Sequence, residues 1–244
     1  MRNIKLIVEY DGANYAGWQI QPNGLSIQQV LEDALAGMLG ERVRVHSSGR
    51  TDAGVHALGM VAAFMTSRAL PLRAFREGLN ALLPADIAIR EAEEAGPDFN
   101  PRFAARGKHY RYSIWNGARR SPLSRQYAWH VRNPLDLELM GRAARLFVGE
   151  HDFGAFRTSG CAAKTTVRRI DAVEVGRDGG FVRIDVFGSG FLKNMVRLMV
   201  GTLVEVGHGQ RPPEDIGPLL ERQPGCRAGA TAPSHGLCLV EVFY

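Results

Sequence analysis

Two β-rich runs set the pattern of this chain. IKLIVEYDG at 4–12 and KHYRYSIWNG at 108–117 are dense in strand formers, and each ends in an Asp-Gly or Asn-Gly turn signal. A similar succession of elements follows each run. After the first, Ser26 with Gln29 three residues on predicts a capped helix. Ile27, Val30, Leu31, Ala34, Leu35 and Met38 fall on one apolar stripe of that helix. Residues 42–46 and 57–65 read as strands, 72–83 as a helix stopped by Pro84, and DIAIREAEEA as strand again. After the second run, Asp136 caps a helix whose Met140, Ala143, Ala144 and Phe147 share a face. RRIDAVEVGRDGGFVRIDVFG then reads as a β-hairpin with Arg177–Gly180 at its turn, FLKNMVRLMVGTLVEVG as an apolar helix, and GLCLVEVFY as a closing strand. Strand, helix, strand, strand, helix, strand thus occurs twice. The expectation is an α+β chain of two related domains, 1–105 and 106–244. Each is an antiparallel or mixed sheet with helices on one face, with a catalytic cleft between them.

Composition narrows the class. Of 244 residues, 45% are hydrophobic and 23% charged, the balance of a globular chain rather than a disordered one. No apolar run approaches the roughly 18 residues of a membrane span. MRNIKLIVEYDG lacks the apolar core and cleavage site of a signal peptide. Cys161, Cys226 and Cys238 are odd in number and far apart, which argues against a disulfide framework or a zinc site and for a reducing cytoplasm. The formal charge is +5, and 26 of the 30 basic residues are arginine. Arginine's planar fork suits phosphates and stacked bases, so the balance hints at nucleic acid, although a solvated basic surface explains it equally well.

The chemistry-bearing residues concentrate in a few segments. VHSSGRTDAGVHA carries Arg50 and Asp52 two positions apart in a small-residue loop. In extended chain such residues point the same way, and a side-by-side pair keeps the carboxylate ionised and oriented. An Asx-turn aspartate beside a surface arginine is the plainer account of the same residues. In KHYRYSIW, alternation puts Tyr110 and Tyr112 on one face and Arg111 on the other; the tyrosines suit either base stacking or core packing. Lys193 and Arg197 lie on the apolar FLKNMVRLMVG segment, where an unpaired charge is costly, so Arg197 needs a carboxylate partner or a cavity. There is no nucleotide-binding loop, metal-ligand spacing or nucleophile elbow. Asp52 with His56 as metal ligands for a hydrolase is the weakest reading, for want of further ligands.

Taken together, the segments resemble one family. GRTDAGVHA (49–57), YAGWQIQ (15–21), LNALLPADIAI (79–89), KHYRYSIWN (108–116), DFGAFR (152–157), FLKNMVRLMVG (191–201) and ATAPSHGLCLVEVFY (230–244) resemble, in order, the signatures of the tRNA pseudouridine synthase I family, commonly called TruA. The resemblance implies a cofactor-free isomerase converting uridine to pseudouridine at positions 38 to 40 of the tRNA anticodon arm. It implies a homodimer binding tRNA across both subunits. It makes Asp52 the catalytic carboxylate, Arg50 the residue that helps flip the base, Tyr110 a stacking residue and Arg197 the partner of the aspartate. Lys108, Arg111, Lys193 and Asn194 become substrate contacts. Asn194 departs from the histidine of many members and Ser47-Ser48 from a more usual small pair, which bears on the contacts from Lys193 and Asn194. A basic RNA-binding protein without catalysis is the alternative, with Asp52 then a turn residue.

Overall fold

The computed structural model describes residues 1–161 and 163–244. The chain divides into two compact units, Met1–Arg106 with Cys238–Tyr244, and Gly107–Leu237. The first contains β1 (Arg2–Tyr10), α1 (Ile27–Leu39), β2 (His46–Ser47), β3 (His56–Thr66), α2 (Leu79–Leu82) and β4 (Ile87–Ala95). The second contains β5 (Gly107–Trp115), β6 (Trp129–His130), α3 (Leu137–Leu146), β7 (Gly149–Asp152), β8 (Val167–Asp178), β9 (Phe181–Gly188), α4 (Met195–Gly207) and α5 (Ile216–Leu220). The chain ends in β10 (Leu237–Phe243). The fold is α+β.

In the first unit β1 lies between β3 and β4, antiparallel to both, and β2 pairs the far edge of β3. Ile4, Leu6, Val8 and Tyr10 alternate along β1 and are buried, a half-buried strand read directly from its period of two. Helix α1 starts where expected: the Ser26 side chain accepts from Gln29 N–H, and Ile27, Leu31 and Leu35 are fully buried. Phe64 of β3 packs edge-on against Phe75, 5.6 Å between centroids, in the helical segment that precedes β4.

One expectation here needs correction and another gains a detail. Of 42–46, only His46 enters a strand. The backbone of Val45 bonds instead to side chains of α1, its N–H donating to Glu32 Oε1 at 3.0 Å and its carbonyl accepting from Gln28 Nε2 at 3.0 Å. The helix expected over 72–83 is present from 72 to 82 and stops before Pro84; its middle, Ala74–Gly78, is π-helical, because Leu79 N–H reaches back five residues to Ala74.

In the second unit the sheet order is β5, β9, β8, β7, with β6 beside β5. Counted in chain order, the first unit's strands lie fourth-first-third-second and the second unit's second-first-fifth-fourth-third, so the two sheets do not share one strand order. The β8–β9 hairpin closes on Gly179-Gly180 with Gly179 at φ +57°, so Arg177 and Asp178 are strand residues paired to Val182 and Phe181. Asp136 caps α3, accepting from Glu138 and Leu139 N–H at 3.0 Å each. The apolar helix begins at Met195 rather than Phe191, because Asn194 adopts a left-handed φ of +61° that no helix continues through.

The boundary at 105/106 also needs one change. Residues 238–244 group with the first unit, because Cys238 and Leu239 pair in parallel with His56 and Ala57 of β3. Tyr244 then packs on Phe99, 5.3 Å between centroids, with Lys5 Nζ 5.2 Å above its ring.

Candidate active site

Asp52 sits half-buried in the 48–55 loop between β2 and β3, and three strands of contacts fix that loop. Thr51 points inward and is buried, its hydroxyl 2.8 Å from the Tyr10 hydroxyl of β1. Its carbonyl accepts from Trp18 N–H at 3.1 Å, and Val55 N–H closes a turn onto the Asp52 carbonyl at 3.1 Å. The segment 11–25 clasps the loop closely enough to exclude side chains. A Cβ on Gly12 would come within 2.0 Å of the Val55 carbonyl oxygen, and one on Gly17, itself at φ +96°, within 2.5 Å of that of Thr51. That clasp is itself tied down, since the Tyr15 hydroxyl donates to Asp86 Oδ1 at 2.6 Å. Burial first, then this bond, pushes the Tyr15 phenol far above its ordinary pKa, so it stays a neutral donor. Asp52 is thus carried on a preorganised turn with its backbone spent on structure.

Alternation holds across the motif, with Thr51 inward and its neighbours outward, yet the expected Arg50–Asp52 pair does not form. Arg50 is exposed and enters no ion pair or hydrogen bond among the described residues. An exposed guanidinium gains little from a surface pair beyond what water already supplies. His56 is engaged elsewhere: Gly12 N–H donates to its Nδ1 at 3.1 Å, with Asp11 Oδ1 3.0 Å from the same nitrogen. Among the described residues no group of three or more His, Cys, Asp or Glu is placed to hold a metal ion.

In the second unit, both tyrosines of β5 are buried, as alternation allowed, but they differ in kind. Tyr112 is structural: its hydroxyl donates to the Pro233 carbonyl at 2.8 Å, its ring lies against Gly236, and burial raises its pKa strongly. Tyr110 is 8% exposed and meets Phe191 edge-on at 5.0 Å. Lys108 shares its face by strand alternation. Arg111 lies on the opposite face, where its Nε donates to Asp185 Oδ1 at 2.8 Å and His109 reaches the same oxygen. The strand therefore separates Arg111 from Tyr110.

Arg197 is braced on α4. Its Nε donates to the Ala232 carbonyl at 2.7 Å and its Nη1 to Asn194 Oδ1 at 2.7 Å. Asn194 in turn donates from Nδ2 to Thr158 Oγ1 at 2.9 Å. Asn194 is therefore placed to position Arg197, a role its left-handed backbone suits, since asparagine tolerates that region. Lys193 beside it is exposed, with Nζ 3.4 Å from the Ser159 carbonyl. The Tyr15–Asp86 tie and the Asn194 brace were not foreseen. The Asn-before-Met-Val-Arg departure marked the second position without revealing its use.

A loop-borne carboxylate, as Asp52 is, has the chemical capacity of an acid, a base or a nucleophile. The comparisons specify it further. Residues 6–104 and 143–244 match the family described as tRNA pseudouridine synthase. The protein called tRNA pseudouridine synthase A of Geotalea uraniireducens is 65% identical, and that of Geobacter sulfurreducens 64%, each over the full length of both chains. Its counterpart in Myxococcus xanthus is 53% identical over all of this chain and 92% of its own. This chain belongs to the tRNA pseudouridine synthase family and is an isomerase. A solved Cbf5-Nop10-Gar1 complex aligns over 96% of this chain and 57% of its own at 13% identity and a TM-score of 0.34, too remote to inform the site.

Proposed function

We propose that this chain isomerises uridine to pseudouridine at positions 38 to 40 of the tRNA anticodon stem-loop, with the Asp52 carboxylate as catalyst. The observation that carries the reading is the clasped turn: Thr51 is locked inward at 2.8 Å from Tyr10 while Asp52 stays accessible at the next position. A turn residue alone does not call for a second loop fitted so tightly over it.

The reaction breaks the N1–C1′ bond, turns the base over and joins C5 to C1′. C5 loses a proton and N1 gains one, so nothing is oxidised or reduced. A carboxylate has three entries to this chemistry: attack at C6 of the base, attack at C1′ of the ribose, or removal of the C2′ proton. A uridine within a stem must first leave it, at a cost of a few kcal/mol. Arg50, exposed and without a partner among the described residues, is suited to fill the vacated place and hold phosphate. Tyr110 serves by stacking, since phenol with an ordinary pKa of about 10 is a poor base at neutral pH. Arg197 supplies a fixed cation, held by Asn194 and Ala232. Lys108 and Lys193 meet the RNA backbone, and the enzyme works in the cytoplasm as a homodimer that holds tRNA across both subunits.

Mapping pseudouridine in an unmodified tRNA transcript tests this. Wild type is expected to modify the anticodon arm, and Asp52→Asn to bind the transcript with unchanged affinity while forming no product. Turnover by Asp52→Asn near that of wild type would remove the carboxylate from the mechanism. Binding without any product from wild type would favour the non-catalytic RNA-binding alternative.

A further inference from the structure

One cavity lies wholly in the second unit and has no part in the proposed chemistry. It encloses about 580 Å³, within the range of small-ligand pockets. Trp115 and Trp129 contribute its aromatic surface, Arg120 and Arg125 its charge, and Ser121 and Ser124 its hydroxyls. Among the described residues no aspartate or glutamate lines it. The sequence around it is equally one-sided: from Phe99 to Leu135 there are eight lysines and arginines and no acidic residue.

The pocket is built rather than incidental. Trp115 donates from Nε1 to the Arg119 carbonyl at 2.8 Å and meets Phe181 edge-on at 5.0 Å. A Cβ on Gly180 would stand 2.5 Å from its ring, so only glycine lets the hairpin turn approach it. Trp129 meets Tyr112 edge-on at 6.5 Å. His130 donates from Nε2 to the Gly117 carbonyl at 2.8 Å, which leaves Nδ1 of the neutral ring as an acceptor. Ser121 and Ser124 fix a turn between the arginines, their hydroxyl oxygens 3.1 Å apart. Both arginines are exposed, and Arg125 is steadied from Nη1 by the Pro122 carbonyl at 2.9 Å.

We propose that this cavity binds one nucleotide of the RNA substrate other than the uridine that reacts. Its base stacks on the tryptophan surface, its phosphate meets Arg120 and Arg125, and its polar edge meets His130 and the serine hydroxyls. Fixed aromatic faces with exposed guanidinium groups at the rim and no carboxylate among the described lining residues are the combination that suits single-stranded nucleic acid. The inference rests on the proposed reading that the substrate is RNA, and it makes the second unit a reader of RNA outside the reacting position.

Binding and steady-state kinetics of the Arg120→Ser, Arg125→Ser double variant on an unmodified tRNA transcript test it. KM and Kd are expected to rise about tenfold with kcat within about twofold of wild type. The slope of log affinity against log salt should fall by about 1 to 2, the loss of one or two phosphate contacts. The Arg120→Lys, Arg125→Lys variant should recover the slope but only part of the affinity, since lysine keeps the charge and loses the fork. Unchanged KM, Kd and slope would overturn the pocket while leaving the catalytic reading intact. A fall in kcat at constant KM would also overturn it. So would loss of binding of a poly-glutamate peptide with tRNA affinity preserved, which would make an acidic protein segment the occupant. Failure of the catalytic reading shows separately, as absence of pseudouridine with wild type.

Discussion

Asn194 and Arg197 show how one backbone angle serves a side chain three residues away. With φ at +61°, Asn194 ends the preceding loop and aims its oxygen at Arg197 Nη1, 2.7 Å away, while its amide nitrogen holds Thr158. The guanidinium thus keeps a fixed plane through Nε and Nη1 together. Lysine carries the same charge but has a single nitrogen and cannot satisfy both the Ala232 carbonyl and Asn194 in that geometry. Arg197→Lys is therefore expected to lower kcat by at least about a hundredfold, the scale of losing one preorganised electrostatic donor. The circular dichroism spectrum should stay that of wild type. Unfolding instead would make the arginine chiefly structural.

At the scale of elements, Asp152 offers a cleaner measurement of stability. It ends β7 and accepts from Gly154 N–H at 2.8 Å, capping the short turn Phe153–Phe156, with Arg222 Nη1 3.6 Å from its other oxygen. Burial opposes its charge, but hydrogen bonds from Thr166 and Gly154 and the nearby Arg222 win, and its pKa lies below the ordinary carboxylate value. The stability it contributes is therefore complete above the unfolded pKa of roughly 3.9 and is lost as pH falls through the lower folded value. Asp152→Ala should cost about 1 kcal/mol at neutral pH, read from urea midpoints, and the gap to wild type should close in acid. Elements whose signals are local were legible in the sequence in this way: the caps at Ser26 and Asp136, the alternation of β1 and the glycine turn of the hairpin. The carboxylate loop was legible as a motif, though not its clasp. What escaped was decided by remote partners. Val45 has strand propensity, but Glu32 and Gln28 take its backbone, and Leu79 reaches back to Ala74 to make a π-turn that no periodicity announces. Asn194 stands out in the sequence as a departure, but the apolar residues on both sides of it hide that the helix starts only after it.

For the whole molecule, the first unit is completed only by β10. Leu239 and Val242 are buried at 1% and 7% exposure, and the Tyr244 hydroxyl donates to the Pro101 carbonyl at 2.9 Å. Burying two such aliphatic side chains contributes about 1.5–3 kcal/mol each, a large part of the net stability of an ordinary domain. A chain truncated after Leu237 is expected to lose cooperative unfolding of residues 1–106 by hydrogen exchange while α3 and α4 keep their protection. Equal protection in both units would show that the pairing with β3 is dispensable. The pairing also sets an order of events during synthesis. His56 and Ala57 emerge early, but their partners Cys238 and Leu239 are made only after the entire second unit, on the order of ten seconds or more later. Until then the strand beside the carboxylate loop has an open edge at His56 and Ala57, so a nascent chain carries Asp52 long before it carries a finished sheet to hold it.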